Sequence, residues 1–191
     1  MRTFIAVDFP PDMLARINEI TTFLKKETAS NALKWVETNN LHLTIKFIGE
    51  ISVSKVEQVK QTLTKSLEDQ FAFDIEIGGL GMYPNKNNPR VIWLGVNNGE
   101  PLIQIANNLD QALSDLDIKP ERRSFSPHLT IARVRRNSDK SSATTIGKTL
   151  SQFKVETLGA ITIDQVNLYH SKLTPSGPIY TILHSVSLNL V

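Results

Sequence analysis

The stretches LHLTIKFI (41–48) and HLTIARV (128–134) share the tetrapeptide HLTI. Both are rich in β-branched and other apolar residues, which predicts a β-strand for each copy. Side chains alternate along a strand, so one face of each copy is apolar and enters the core. The opposite face then presents His42, Thr44 and Lys46 in the first copy, and His128 and Thr130 in the second.

The predicted elements around the two copies follow the same order of strand, helix, HLTI strand, helix and strand. Arg2 precedes His42 by 40 residues, and Arg90 precedes His128 by 38. A second copy of HLTI at the same place in such a series is improbable by chance, so the chain contains an internal repeat. The first series has strands at 2–9, 41–48 and 71–77 with helices at 11–26 and from Ser54. The second has strands at 90–96, 128–134 and 155–170 with helices at 102–116 and 141–153.

This pattern predicts an α+β fold with two pseudo-symmetric lobes. Each lobe would be an antiparallel sheet backed by helices, and the lobes would face each other across a central cleft. We expect residues 1–191 to form a single bilobal domain, with repeats at roughly 2–80 and 90–165 and a closing hairpin at 160–190. Ser54 and Glu57 resemble a capping box at a helix start, and residues 81–89 (GMYPNKNNP) are typical of a loop.

Composition narrows the class of protein. The chain has 191 residues, of which 40% are hydrophobic and 21% charged, values that are ordinary for a soluble globular protein. No apolar run approaches the roughly 20 residues of a membrane helix, and the N-terminal residues lack a signal-peptide pattern, so we expect a cytoplasmic protein. Cysteine is absent, which excludes disulfides, thiolate nucleophiles and zinc sites that use sulfur.

Positive charge is concentrated around the second HLTI copy. The formal net charge of the chain is only +2, but residues 121–136 contain five arginines and one acidic residue, Glu121. This segment therefore carries a local charge of +4, and the rest of the chain carries −2. Such a patch suits an anionic ligand, although a charge run on its own is more often a solvated surface.

The residues that the two copies share are suited to cleaving a phosphodiester without a metal. A pseudo-twofold arrangement would bring two imidazoles and two hydroxyls to one site. Imidazole titrates near neutral pH, so a neutral ring can activate water while a protonated ring donates to a leaving oxygen. The hydroxyls of Thr44 and Thr130 can donate hydrogen bonds to the non-bridging phosphate oxygens.

Two other interpretations of these residues remain open. Each histidine could be a hydrogen-bonded sheet residue and each threonine a simple strand former, although two matching copies favour function. A metal site could instead use His42, His128, His170 or His184. The sequence has no HxH or HExxH motif and no acidic residue at ligand spacing beside either HLTI histidine, so we predict neither a metal nor another cofactor.

The sequence resembles the 2H phosphoesterase superfamily, which is defined by two HxTx motifs. Within it, the chain is most similar to the RNA 2′,3′-cyclic phosphodiesterases, also called 2′-5′ RNA ligase-like proteins. The resemblance covers nearly the whole chain. The matching segments are RTFIAVDFP (2–10), KWVETNNLHLTIKFIGE (34–50), RVIWLGV (90–96), RRSFSPHLTIAR (122–133) and SKLTPSGPIYTIL (171–183).

The resemblance implies an enzyme that hydrolyses a 2′,3′-cyclic phosphate at an RNA end to leave a 2′-phosphate. By resemblance, His42 would be the proton donor to O3′ and His128 the proton acceptor from water. Thr44 and Thr130 would bind the phosphate. Arg133 would also bind the phosphate, because the family has an arginine at this position. Strict alternation would point Arg133 away from His128, but a bend in the strand or its long side chain could still bring it to the phosphate.

Several residues nearby have a functional and a structural interpretation. Phe9 could stack on a base or ribose or could belong to the core. Arg122 and Arg123 could guide an RNA backbone or lie on a solvated surface. We expect core positions for Trp35 and Trp93. We expect structural roles for His170 and His184.

The expected partner is an RNA or oligonucleotide with a 2′,3′-cyclic phosphate end, bound by a monomer that does not associate with membranes. Three other functions use the same residues. One is a nucleotide- or RNA-binding module without turnover. The second is hydrolysis of 2′,5′-linked oligonucleotides or of a small cyclic phosphate. The third is the reverse reaction, which forms a 2′-5′ RNA linkage.

Overall fold

The two HLTI strands lie in two different antiparallel sheets. The computed structural model describes residues 1–175 and 177–190, and these contain nine strands and four α-helices. In chain order they are β1 (Arg2–Val7), α1 (Pro11–Thr28), β2 (Leu33–Trp35), β3 (Leu43–Glu50), α2 (Val53–Ser66), β4 (Phe73–Tyr83), β5 (Val91–Asn97), α3 (Glu100–Ser114), β6 (His128–Val134), α4 (Lys140–Leu150), β7 (Gly159–Ile163), β8 (Gln165–Thr174) and β9 (Gly177–Ser187).

Sheet A has the strand order β3-β1-β8-β9, and sheet B has the order β2-β6-β5-β4-β7. Every strand pairing within the two sheets is antiparallel. These sheets and the four helices confirm the predicted α+β fold class. Within each sheet, the HLTI strand pairs with the strand that opens its half of the chain, β3 with β1 and β6 with β5.

The halves of the chain exchange their later strands. β4 follows β3 in sequence but pairs with β5 and β7 in sheet B. β8 follows the second half but pairs with β1 in sheet A, where β9 extends the edge. Sheet B therefore contains strands from both repeats, sheet A joins strands of the first repeat to the closing hairpin, and neither sheet corresponds to one continuous half of the sequence.

The apolar faces of both sheets contribute to one large core. It contains buried aliphatic side chains of both HLTI strands together with residues of all four helices, such as Ile17, Leu63, Leu109 and Ile146. α1 contacts α4, and α2 contacts α3. A second, small cluster consists of Phe4, Ala6 and Tyr169, with Tyr180 packed against it. Phe4 and Ala6 alternate with buried Ile5 along β1, so this small cluster lies on the face of sheet A opposite the main core.

Each HLTI strand contains a β-bulge at its isoleucine. In sheet A, Ala6 pairs with Thr44 and Ile5 pairs with Lys46, which leaves Ile45 without a partner. In sheet B, Trp93 pairs with Thr130 and Ile92 pairs with Ala132, which leaves Ile131 without one. A bulge inserts one residue and reverses the alternation beyond it.

Some predicted boundaries were wrong. The N-cap of α2 is Ser52, whose side chain accepts a hydrogen bond from the Lys55 N–H at 3.2 Å, and not Ser54. β4 runs on to Tyr83, so the predicted loop begins later than residue 81. The predicted strand at 155–170 is two strands, β7 and β8, which pair in different sheets. The three-residue strand β2 was not predicted.

In the described part of the chain, no helix combines the length and the apolar character that a membrane crossing requires.

Candidate active site

The two HLTI histidines are held in the same way. Nδ1 of His42 is 2.8 Å from the carbonyl oxygen of Asn40, and Nδ1 of His128 is 2.8 Å from that of Ser126. A carbonyl oxygen can only accept a hydrogen bond, so Nδ1 carries the proton in both rings. Each Nε2 is then a base when its ring is neutral and an acid when its ring is protonated.

The bulges decide which side chains join the histidines. Val91 and Trp93 lie two residues apart on β5 and therefore share a face, and they pair with Arg133 and Thr130. Arg133 thus lies on the face of Thr130, and not on the opposite face that strict alternation predicts. The structural reason is the extra residue, Ile131. The side chains of Ile131 and Ala132 are both buried, so the following residue, Arg133, returns to the face of Thr130.

The same kind of bulge puts Lys46 inside the protein, which corrects the prediction that it shares the face of His42. Lys46 is 2% exposed, and its Nζ forms an ion pair with Asp110 and donates to the Lys119 carbonyl oxygen at 3.3 Å. Phe47 takes the place beside Thr44 and is 56% exposed. Phe47 is therefore the counterpart in sheet A of Arg133 in sheet B.

Aromatic rings surround His42 on sheet A. Phe4 stacks on the imidazole with ring centroids 4.7 Å apart, and Tyr180 meets it edge-on at 5.0 Å. The ring centroid of Tyr169 lies 5.1 Å from that of Phe4. Tyr169 is on β8, the other strand that pairs with β1. These rings hold the imidazole in place and remove water from around it.

His128 has its own aromatic neighbours on sheet B. Tyr83 meets its ring edge-on at 5.1 Å, and the centroid of Trp93 is 6.1 Å away. The indole lies directly over Gly81, where an added Cβ would come within 2.1 Å of the ring. Gly81 is thus required for the close approach of Trp93, which is half-buried beside His128 and not in the centre of the core as predicted.

The two sheets contact each other through their HLTI strands, β3 and β6. Burial is the main influence on the pKa of His42 and lowers it. The hydrogen bond to the Asn40 carbonyl oxygen and the charge of Asp8 act in the opposite direction. The charge of Arg133, from the other sheet, lowers the pKa further. Burial raises the pKa of Tyr180, and Arg133 acts against that shift. Arg133 therefore lies within electrostatic reach of both His42 and Tyr180.

A polar network lies beside His42. The Asp8 carboxylate accepts hydrogen bonds from Asn167 Nδ2 at 2.8 Å and from the Tyr169 hydroxyl at 2.5 Å. Burial, followed by the bond to Asp8, strongly raises the pKa of Tyr169, so this phenol remains a proton-bearing donor at physiological pH. Asp8 is a fixed negative charge near His42.

The remaining sequence candidates lie elsewhere or have a structural role. Phe9 is 6% exposed and belongs to the main core, so the structure does not place its ring where a base could stack on it. His184 Nε2 is 2.8 Å from the Thr64 hydroxyl and ties β9 to α2. His170 lies on β8 opposite Thr3. Trp35 is half-buried in β2, and Arg122 and Arg123 are exposed.

Sequence reasoning missed the rings of Phe4, Tyr83, Tyr169 and Tyr180. Phe4, Tyr169 and Tyr180 lie in predicted strands, so alternation places each ring on a face of its strand. Placing these rings beside His42 also requires knowing which strands are neighbours. Tyr83 was assigned to a loop because a run of turn-forming residues follows it. Within residues 1–175 and 177–190, no group of three or more His, Asp or Glu side chains is arranged to hold a metal ion.

Comparison with known proteins identifies the family of the chain. The family model for the 2′-5′ RNA ligase superfamily matches residues 9–172. A protein of Methanothermobacter thermautotrophicus named RNA 2′,3′-cyclic phosphodiesterase is 34% identical over 183 residues, which is 95% of each chain. A protein of Methanocaldococcus jannaschii with the same name is 36% identical over 183 residues, covering 96% of this chain and 98% of the other.

Solved structures share the fold. A structure from Thermus thermophilus superposes with a TM-score of 0.82 at 25% identity, covering 98% of both chains. The structure of Escherichia coli LigT complexed with 3′-AMP gives a TM-score of 0.77 at 25% identity, again over 98% of both chains. The resemblance that the two HLTI motifs indicated is confirmed, and the chain belongs to the 2′-5′ RNA ligase superfamily.

Proposed function

We propose that this protein hydrolyses 2′,3′-cyclic phosphate ends of RNA to 2′-phosphates by acid–base catalysis with His42 and His128. The observation that carries the proposal is the matched pair of imidazoles, each with Nδ1–H bonded to a backbone carbonyl and Nε2 left for proton transfer. The names of the relatives support a cyclic phosphate as the substrate.

The proposed reaction needs two proton transfers. Water attacks phosphorus in line with the P–O3′ bond, and Nε2 of His128 takes its proton. As that bond breaks, Nε2–H of His42 protonates O3′, which leaves as an alcohol, and the phosphate stays on O2′. The proton held by the two rings has then moved from one to the other, and exchange with solvent restores the starting state.

The other residues bind the phosphate. The hydroxyls of Thr44 and Thr130 donate to the non-bridging oxygens. Arg133 supplies a positive charge and a planar set of donors on the face of Thr130, which suits the charge that develops on the phosphoryl oxygens. Phe4 and Tyr180 exclude water from the side of His42, which strengthens these interactions.

The donor role of His42 requires a change in its protonation on substrate binding. Burial lowers its pKa in the free protein, so at neutral pH the free ring is mostly neutral. A bound phosphate anion near Nε2 raises that pKa and offsets part of the effect of Arg133. The family resemblance, and not the free-state pKa, supports the assignment of His42 as donor.

Ligation follows from the same scheme. When a 5′-hydroxyl of a second RNA takes the place of water, His128 accepts its proton and the product is a 2′-5′ linkage. The leaving O3′ and its donor are unchanged. The proposed site is therefore capable of joining RNA ends where water is outcompeted by a bound 5′-hydroxyl.

The test is product analysis on an oligonucleotide that ends in a 2′,3′-cyclic phosphate. We expect a 2′-phosphate as the dominant product. The two histidines lie in different sheets and therefore fix the orientation of the cyclic phosphate between them. Selectivity of tenfold requires only about 1.4 kcal/mol. Chromatography against both phosphate isomers distinguishes the outcomes.

Two results would overturn parts of the proposal. A dominant 3′-phosphate would reverse the roles of His42 and His128. Binding of the oligonucleotide without any turnover, measured with pure protein over hours, would favour an RNA-binding module instead of an enzyme.

A further inference from the structure

A groove of about 790 Å³ runs along the β2–β6–β5 side of sheet B and carries five positive charges. The charged residues that line it are Lys34, Arg90, Arg133, Arg135 and Arg136. Its other lining residues are Val91, Val134 and Asn137, so no carboxylate of the described residues contributes to the wall. An array of this kind repels cations and attracts a ligand with several negative charges.

The charges of the groove are largely unneutralised. Among residues 1–175 and 177–190, none of these five side chains forms an ion pair with a carboxylate. Arg135 also serves the fold, because its Nε donates to the Asn31 carbonyl oxygen at 2.9 Å. Five like charges held together repel one another and reduce the stability of the fold, and a bound anionic ligand offsets this repulsion.

A second groove, of about 810 Å³, lies beside Phe47 and differs in charge. It is lined by four basic side chains but also by Glu50, Asp117 and Glu121. Its mixed walls are less suited to a polyanion than the groove on sheet B. The charge distribution therefore favours the groove on sheet B as the binding site of a polyanion.

The basic groove continues directly from the proposed active site. Lys34 pairs with Arg133 across β2 and β6, so their side chains share one face of the sheet. Arg133 is the same residue whose charge reaches His42 and Tyr180. A chain that places one phosphate between the two histidines can therefore place its next phosphates along Lys34 and Arg136.

We propose that this groove binds the phosphodiester backbone of a single-stranded RNA on the 5′ side of its cyclic end. This inference rests on the proposed function, because a cyclic phosphate terminates the 3′ end and leaves only the 5′ direction for further phosphates. The groove makes an oligonucleotide, and not a mononucleotide, the preferred substrate. Base identity contributes little there, since Lys and Arg contact only the backbone.

The test compares Lys34→Gln/Arg136→Gln with Lys26→Gln/Lys65→Gln. Both double variants remove two exposed positive charges, and the control residues, on α1 and α2, do not line the groove. We measure kcat/KM on a cyclic-ended RNA of about ten nucleotides and on a nucleoside 2′,3′-cyclic monophosphate. Anisotropy of the same RNA carrying a 2′-phosphate and a fluorophore measures binding without turnover.

We expect the groove variant to lose roughly 5- to 10-fold in oligonucleotide kcat/KM and affinity at about 50 mM salt, and the control less than about twofold. The slope of log affinity against log salt should flatten by about 1.4 for two lost contacts. Mononucleotide kcat/KM should change less than about twofold in both variants, because a mononucleotide has no further phosphates to place in the groove.

The groove proposal is wrong if the groove and control variants lose affinity equally, or if the groove variant loses mononucleotide and oligonucleotide turnover in proportion. A wild-type protein that hydrolyses neither substrate contradicts the proposed function instead, and the anisotropy assay still decides whether the groove binds RNA. Loss of affinity for a duplex of the same length, without loss for the single strand, would assign the groove to double-stranded RNA and overturn the proposal as stated.

Discussion

Single backbone carbonyls determine what each proposed catalytic ring can do. The Asn40 and Ser126 carbonyl oxygens lie two residues before their histidines and hold Nδ1–H at 2.8 Å. The tautomer is therefore fixed by local chain geometry, without a carboxylate partner. The same local geometry recurs in two sheets because the same short sequence begins a strand of the same kind.

Replacing either histidine should remove most of the activity. His42→Gln and His128→Gln should each lower kcat by at least about 10²-fold, because each removes one proton transfer. The double variant should lose little more than the worse single variant, since the two rings act as a unit. Steady-state assays on a nucleoside 2′,3′-cyclic phosphate measure these rates.

The matched control is His184→Gln, which changes a histidine that bonds to Thr64 of α2. It should keep wild-type turnover. Near-normal activity in either HLTI variant would contradict the paired-histidine mechanism.

His42 should also make folding stability depend on pH. Its pKa is lowered in the folded state, chiefly by burial, so the unfolded chain binds a proton more readily. Its contribution to stability is then fully present above its ordinary pKa of about 6.5 and is lost as pH falls toward the lower folded value. Urea unfolding at pH 8 and pH 5 should show a smaller loss for His42→Gln than for wild type. An equal loss in both proteins would contradict this environment for His42.

At the scale of elements, the bulges at Ile45 and Ile131 decide the composition of the site. The sequence was sufficient to predict both HLTI strands and the helices between them. It was also sufficient to predict that the histidine and the threonine of each strand share one face. It was not sufficient to predict the bulges, because an extra residue leaves no compositional signal and depends on the register of the neighbouring strand. Strict alternation therefore predicts Lys46 on the face of His42 and points Arg133 away from His128, although the family resemblance assigns Arg133 to the phosphate. Phe4 and Tyr83 were missed for a related reason, since their role depends on which strands become neighbours.

Arg133 should act on both the substrate and His42. Arg133→Gln should lower kcat/KM by about 10²-fold, because it removes a charged donor set from the phosphate. Arg133→Lys should restore part of the activity, since it keeps the charge but not the planar fork. The pKa of His42, followed by NMR titration of the imidazole, should rise in Arg133→Gln and stay near the wild-type value in Arg133→Lys. An unchanged pKa in Arg133→Gln would show that the two groups are not coupled.

Lys46 should matter for stability and not for turnover. Lys46→Met removes the buried partner of Asp110, whose side chain is 24% exposed and can still be hydrated. We therefore expect a loss of about 1–3 kcal/mol in the free energy of unfolding, measured in urea. Lys46→Met/Asp110→Asn should be less destabilised than the sum of the single variants. A large loss of kcat with full stability would instead place Lys46 in the site.

At the scale of the whole molecule, the exchange of strands joins the two halves of the chain. Sheet B needs β4 from the first half, and sheet A needs β8 and β9 from the end of the chain. The HLTI strands, and with them the two histidines, are positioned by strands of both halves.

Because neither sheet can be completed by one half of the chain, the two sheets should unfold together, as expected of a single domain. Trp35 and Trp93 both lie in sheet B, on β2 and β5, so tryptophan fluorescence follows that sheet alone. Hydrogen exchange of β1 and β8 amides follows sheet A. In urea, the fluorescence transition and the loss of protection in β1 and β8 should share one midpoint, and a severed chain of residues 1–84 should not fold. Two separate midpoints, or a folded fragment, would show that the lobes are independent domains and that the site is assembled by docking between them.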